Sequence, residues 1–148
     1  MQKEYIHIIL ADDDEDDRLF FTDAFSEIKI STKVQTFNDG VELMNYLNEE
    51  DVLLPQILFL DLNMPRKNGL EALHEIKANP KFDNIAIAIY STSSSEEHIE
   101  ETFVCGANIY IKKPSDFITL KKVLSDVVTI NWQYHTSGLN KDNFLLRL

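Results

Sequence analysis

Asp61 closes an apolar run, Ile57-Leu58-Phe59-Leu60, and Asn63-Met64-Pro65 and Gly69 follow it. An apolar run bounded by turn signals reads as a strand buried on both faces. A carboxylate at its exit stands where open α/β sheets bind ligands, beyond the carboxyl ends of the strands. Other reactive side chains leave comparable runs: Asp12 and Asp13, then Ser91 and Thr92, then Lys113. Carboxylates crowded together repel one another, and a hard divalent cation is the simplest compensation. Magnesium takes oxygen ligands and keeps several waters, which suits a site with few protein ligands. A lysine and a hydroxyl opposite the metal bind anionic oxygens, and such a set stabilises a phosphoryl group in transfer. A carboxylate can itself be the nucleophile, giving an aspartyl phosphate. Taken singly, Asp61 reads equally well as a strand-end turn residue.

The elements that must bring these residues together follow from periodicity. Apolar runs predict strands at Ile6–Ala11, Ile57–Leu60, Ile85–Tyr90 and Ile109–Lys112, and Thr32–Phe37 reads as a second strand between the first two. Helix-period segments lie between them. The first spans about Asp16 to Ile28, with Phe21, Ala24, Phe25 and Ile28 on one face. The second follows the turn Asn38-Asp39-Gly40, which supplies a capping residue, and carries Leu43, Met44 and Leu47. The third starts at Gly69, buries Leu70, Leu73 and Ile76, and stops at Asn79-Pro80. Ser94-Ser95-Glu96-Glu97 fits a capping box opening a fourth helix through Phe103, closed by Gly106. The fifth runs from about Asp116 to Trp132, with Phe117, Leu120, Leu124 and Val127 inward. Five strands alternating with five helices imply a mainly parallel sheet covered on both faces. Every strand-to-helix loop then opens at one edge, and the reactive groups share it.

Composition bounds the rest. The chain has 148 residues, enough for one domain with a substantial core. It carries 14 Lys+Arg against 25 Asp+Glu, a formal net charge of −11, which repels phosphate backbones and disfavours a nucleic-acid partner. A hydrophobic content of 44% argues against a disordered acidic chain. The single cysteine, Cys105, allows no internal disulfide, fits a reducing compartment and is expected as a small core residue. Met1-Gln2-Lys3-Glu4 lacks a signal-peptide apolar region, and no stretch reaches membrane-spanning length. A cytoplasmic protein is expected, with no membrane partner. In the acidic run Asp12 to Asp17, Asp14, Asp16 and Asp17 read as a solvated loop and helix N-terminus. Ser93, Ser94 and Ser95 read as loop or cap hydroxyls. His7, His74, His98 and His135 show no metal-ligand spacing.

As a set, Asp12-Asp13, Asp61 with Asn63-Met64-Pro65 and Gly69, Ser91, Tyr110 and Lys113-Pro114 resemble a response-regulator receiver domain of two-component signalling. The resemblance covers Tyr5 to about Asn131. It implies a flavodoxin-like doubly wound α/β fold, a five-stranded parallel sheet in order 2-1-3-4-5 with five helices. It implies that Asp61 accepts phosphate from a histidine kinase or histidine phosphotransfer protein. Asp13, Asp61 and the backbone carbonyl of Asn63 would ligate Mg2+, with Asp12 acting mainly through water. Lys113 would bind phosphoryl oxygens, aimed by a cis peptide bond to Pro114. Ser91 would move onto a phosphoryl oxygen, and Tyr110 would swing from an outer to an inner rotamer. Thr92 stands where a smaller residue is common, beside the path of attacking water. Asn63 adds no charge beside the metal. Lys112 is expected to point to the opposite face from Lys113.

The whole chain, 1–148, is expected to be one receiver domain, with a core of about 5–131 and a tail over 133–148. That tail is too short for a DNA-binding or enzymatic output domain. The output is therefore expected on the receiver surface, around the fourth helix, fifth strand and fifth helix, through an unknown downstream protein. The apolar ending Phe144-Leu145-Leu146-Arg147-Leu148 is expected to dock on the domain rather than form a dimer contact. A monomer or weak homodimer follows. The expected role is that of a phosphoacceptor rather than an enzyme. The alternative is a Mg2+-dependent phosphohydrolase with an aspartyl nucleophile, but such enzymes place an acidic residue two positions on, where this chain has Asn63. A flavodoxin-like cofactor binder needs a hydroxyl- and glycine-rich loop after the first strand, and that loop is acidic here.

Overall fold

Every residue of the run Ile57–Leu60 is buried, as a strand enclosed on both faces requires. In the computed structural model, which describes residues 5–134 and 145–146, this run is strand β3 at the middle of the sheet. Around it the chain alternates regularly. Strands β1 (Ile6–Ala11), β2 (Thr32–Phe37), β4 (Ala86–Ser91) and β5 (Ile109–Lys112) are each followed by a helix. The helices are α1 (Glu15–Glu27), α2 (Gly40–Leu47), α3 (Gly69–Lys77), α4 (Glu96–Cys105) and α5 (Phe117–Tyr134). All strand pairs are parallel, in the order 2-1-3-4-5, so the flavodoxin-like arrangement expected from the sequence is the one observed.

The side-chain period of two sorts the strands onto two cores. Ile9, Ala11, Leu58, Leu60, Ile87 and Ile89 pack against the apolar faces of α2, α3 and α4. Ile8, Leu10, Phe59, Ala88 and Tyr90 pack on the other side against α1 and α5. There Phe21 meets Phe59 and Tyr90 edge-on, with ring centroids 5.0 and 5.6 Å apart. Edge-on pairs of this kind add to what area burial supplies.

Leu145–Leu146 forms a short strand, β6, parallel to β5, with Tyr110 opposite Leu145 and Ile111 opposite Leu146. Leu145 and Leu146 of the apolar ending thus join the sheet, which among the described residues has six strands rather than five. Other positions expected in the tail, including His135, Phe144, Arg147 and Leu148, lie outside the described residues.

Two boundaries differ from expectation. Strand β4 starts at Ala86, because Ile85 N–H donates to Phe82 O in a 3-10 turn over Pro80–Phe82. It ends on Ser91, which pairs with Lys112. Helix α4 is capped by Ser95, whose Oγ accepts from His98 N–H. The residue three places beyond the cap is therefore His98, and no carboxylate stands there to complete a capping box. The capping box occurs instead on α3, between Asn68 and Glu71.

Candidate functional site

The sheet register brings the reactive groups to one edge. Ala11 pairs with Leu60, so the chain leaves β1 and β3 side by side, and Asp61 N–H donates to Ala11 O at 3.0 Å. Ser91 pairs with Lys112, and Lys113 N–H donates to Ser91 O at 2.8 Å. Four exits thus converge within hydrogen-bonding reach.

Gly69 fixes how the chain leaves Asp61. A side-chain carbon on Gly69 would lie 2.2 Å from Asp61 O, closer than any real contact. Gly69 N–H also donates to Leu62 O. The start of α3 is therefore pressed against the backbone that carries Asp61, and no larger residue fits. On the other side of the same loop, Arg66 stands at φ 66° and reaches Asp39, the cap of α2, at 3.2 Å.

Oxygens of Asp12, Asp13 and Asp61 all lie within 4.8 Å of one another. Asp12 is fully buried, Asp61 is 5% exposed, and Asp13 faces solvent. Asp61 Oδ1 accepts from Asn63 N–H at 3.1 Å, and its Oδ2 accepts from Lys113 Nζ at 3.3 Å. Burial pushes the Asp61 carboxyl up from 3.8 to about 6; Lys113 opposes the rise and the Asp12 charge adds to it. Lys113 Nζ also meets Asp12 Oδ2 and Asp17 Oδ2, each at 2.8 Å. Burial works against the ammonium charge, but the bonds to Asp12 and Asp17 outweigh it and hold the Lys113 pKa above the ordinary lysine value. The ring of Tyr90 lies beneath, its centroid 5.3 Å from Nζ.

A family model described as the response regulator receiver domain matches residues 8–125. The chain belongs to that family. The response regulator Rcp1 of Synechocystis sp. is 27% identical over 124 residues, covering 81% of this chain and 84% of Rcp1. The chemotaxis protein CheY of Halobacterium salinarum is 32% identical over 124 residues, covering 82% of this chain and 96% of CheY. Among solved structures, the phosphorylated cyanobacterial phytochrome response regulator RcpA superposes with a TM-score of 0.79 at 29% identity, covering 90% of this chain and 98% of RcpA. The Mn(2+)-bound form of Rcp1 gives 0.76 at 26% identity, covering 91% and 99%. Receiver domains are signalling phosphoacceptors, and this one carries the acidic cluster at which such domains bind Mg2+.

The donor set of this receiver fits a hard divalent cation. Asp12 Oδ2 is buried, and its one partner among the described residues is the Lys113 ammonium, an ion pair at 2.8 Å. One ammonium meets Asp12, Asp17 and Asp61, and Asp13 adds a fourth carboxylate to the cluster, so negative charge is left over among acceptor-only oxygens.

The remaining expected residues fall as follows. Ser91 is fully buried at the end of β4, and its Oγ accepts from Ser93 N–H at 3.1 Å. Thr92 is exposed. Tyr110 lies inward, 1% exposed, and its hydroxyl donates to Ser93 O at 2.9 Å. Lys112 points to solvent, as the strand period demands. The cis bond expected before Pro114 is absent: peptide bonds among the described residues are trans. Lys113 is placed instead by its backbone bond to Ser91 and its carboxylate partners, and the trans form is the lower in energy.

Three residues depart from the sequence reading. Asp17 stands in the first turn of α1 and is part exposed, as expected, but its carboxylate also pairs with Lys113. Nothing local in the sequence names Lys113 as its partner. Tyr90 forms the floor under the ammonium, a role visible only once β4 and β5 are paired. Cys105 is not in the core; it is half-buried, with Sγ 3.3 Å from His74 Nδ1.

Proposed function

We propose that Asp61 accepts a phosphoryl group from a histidine kinase or histidine phosphotransfer protein, and that the resulting charge change is read by partners on the Ser91 and Tyr110 face. The observation that carries this is the Asp61 carboxylate, buried and held by Asn63 N–H on one oxygen and by Lys113 on the other. A nucleophile so fixed can present an oxygen in line with a leaving group. Asp12, Asp13, Asp61 and the backbone carbonyl of Asn63 would hold Mg2+, which when bound neutralises charge on the phosphoryl oxygens.

In the transfer, an Asp61 carboxylate oxygen forms a bond to phosphorus while the bond from phosphorus to the donor imidazole breaks, and the imidazole leaves as the neutral ring, keeping the proton its other nitrogen already carried. Lys113 receives a phosphoryl oxygen. Ser91 then turns its Oγ from Ser93 N–H toward another oxygen. Ser93 also holds the Tyr110 hydroxyl, so the loop joining β4 to α4 links that event to β5. The surface of α4, β5 and α5 is the output face. Among the described residues, no helix is long and apolar enough to cross a membrane.

Incubation with magnesium and acetyl phosphate, followed by intact-mass measurement, tests the reading. A gain of one phosphoryl group, lost in Asp61→Asn, is expected. A parent protein that binds magnesium and gains nothing would refute the phosphoacceptor role.

A further inference from the structure

We propose that Asp17 is a positioning residue for phosphoryl transfer: it tethers the Lys113 ammonium and must release it as the phosphoryl group arrives, so it slows phosphorylation. The inference rests on the phosphoacceptor reading of Asp61. An ammonium has three N–H donors, and Lys113 faces three carboxylate partners, Asp12 and Asp17 at 2.8 Å and Asp61 at 3.3 Å. The Tyr90 ring closes the side beneath. Three carboxylates thus already surround the one ammonium, two as hydrogen-bond acceptors and Asp12 as a close ion pair. A phosphoryl oxygen can be bound by Lys113 only if one of them lets go.

Burial decides which. Asp12 is fully buried, and releasing its charge there without compensation is costly. Asp61 carries the incoming group. The Asp17 side chain is 36% exposed, so water can replace the ammonium at its carboxylate. Its backbone is meanwhile fixed: Asp17 N–H donates to Asp14 Oδ1 at 3.2 Å, within the cap of α1. The side chain can swing away while the helix stays in place. Asp17 and the donor's phosphoryl oxygens thus compete for one ammonium, and Asp17 also repels an anionic donor directly.

The test compares phosphorylation of four full-length proteins by acetyl phosphate at saturating magnesium: the parent, Asp17→Asn, Asp17→Glu and Asp16→Asn. Asp16 stands beside Asp17 on the same turn, is exposed, and controls for loss of one charge. The second-order rate constant is expected to rise on the order of threefold or more in Asp17→Asn beyond any rise in Asp16→Asn. Asp17→Glu keeps the carboxylate and should stay near the parent. The Lys113 ammonium resonance, protected from solvent exchange in the parent, should broaden in Asp17→Asn alone. Equal rates in Asp17→Asn and Asp16→Asn would overturn the proposal. If no protein is phosphorylated but the ammonium resonance still responds to Asp17→Asn alone, the tether is supported and the phosphoacceptor reading overturned.

Discussion

Replacing Asp61 with asparagine should stabilise the metal-free protein, and by an amount that depends on pH. Asp61 is buried, and its carboxyl is carried from 3.8 in the unfolded chain to about 6 in the fold. At about 1.4 kcal/mol per pH unit, that rise corresponds to roughly 3 kcal/mol. The sign follows from proton binding. Between 3.8 and 6 the folded protein holds the Asp61 proton more tightly than the unfolded chain. Its contribution is therefore fully favourable below 3.8 and is lost as pH rises through about 6. Asparagine mimics the protonated side chain at every pH. In the presence of a chelator, Asp61→Asn and the parent should be nearly equal in stability near pH 4. By about pH 7.5 the variant should lead by as much as roughly 3 kcal/mol, a rise in Tm of about 10 °C. Urea unfolding across this range measures the difference. A stability gap that does not change with pH, or a variant less stable than the parent at pH 7.5, would refute the reasoning. Magnesium should close the gap by stabilising the parent and not the variant.

Other consequences follow from the same geometry. Magnesium should raise the thermal stability of the parent, and the effect should fade as pH falls below about 6, where Asp61 takes up its proton; differential scanning fluorimetry at several pH values reads this. Lys113→Ala removes the ammonium from among Asp12, Asp17 and Asp61, so the metal-free protein should lose on the order of 3 kcal/mol in denaturant unfolding while keeping its fold in magnesium. Its phosphorylation, or the response to phosphorylation, should be lost, as NMR shifts around Tyr110 would report. Gly69→Ala forces a carbon against Asp61 O and should cost about 1–3 kcal/mol and weaken magnesium binding, measured by unfolding and by titration calorimetry. Tyr110→Phe removes the hydroxyl that donates to Ser93 O and should cost about 1 kcal/mol or more in denaturant unfolding.

The sequence was most informative where a signal is local. The sequence located β1, β2, β3 and β5 with the observed ends; for β3 the reason is that a strand buried on both faces has no polar position to blur its limits. The edge carrying Asp12, Asp13, Asp61, Ser91 and Lys113 followed from parallel alternation alone. Long-range pairing was not legible. Asp17 and Lys113 are 96 positions apart, and an acidic residue in a first helical turn looks the same whether it faces water or an ammonium. Tyr90 reads as an ordinary strand tyrosine until β4 and β5 are aligned. Cys105 was misplaced because a cysteine before a helix-ending glycine carries no sign of which way the last turn faces. In α4, two serines before two glutamates offered competing caps, and the choice of Ser95 moved the start by one residue and put His98 where a glutamate was expected.

The central claim is that Asp61 is the residue that carries phosphate. It is tested most directly by trapping: phosphorylation with acetyl phosphate and magnesium, reduction with sodium borohydride, and peptide mapping. Reduction converts an aspartyl phosphate to homoserine, and the converted residue should be found at position 61. Conversion at Asp12 or Asp13, or a phosphorylated protein with position 61 unchanged, would contradict the claim.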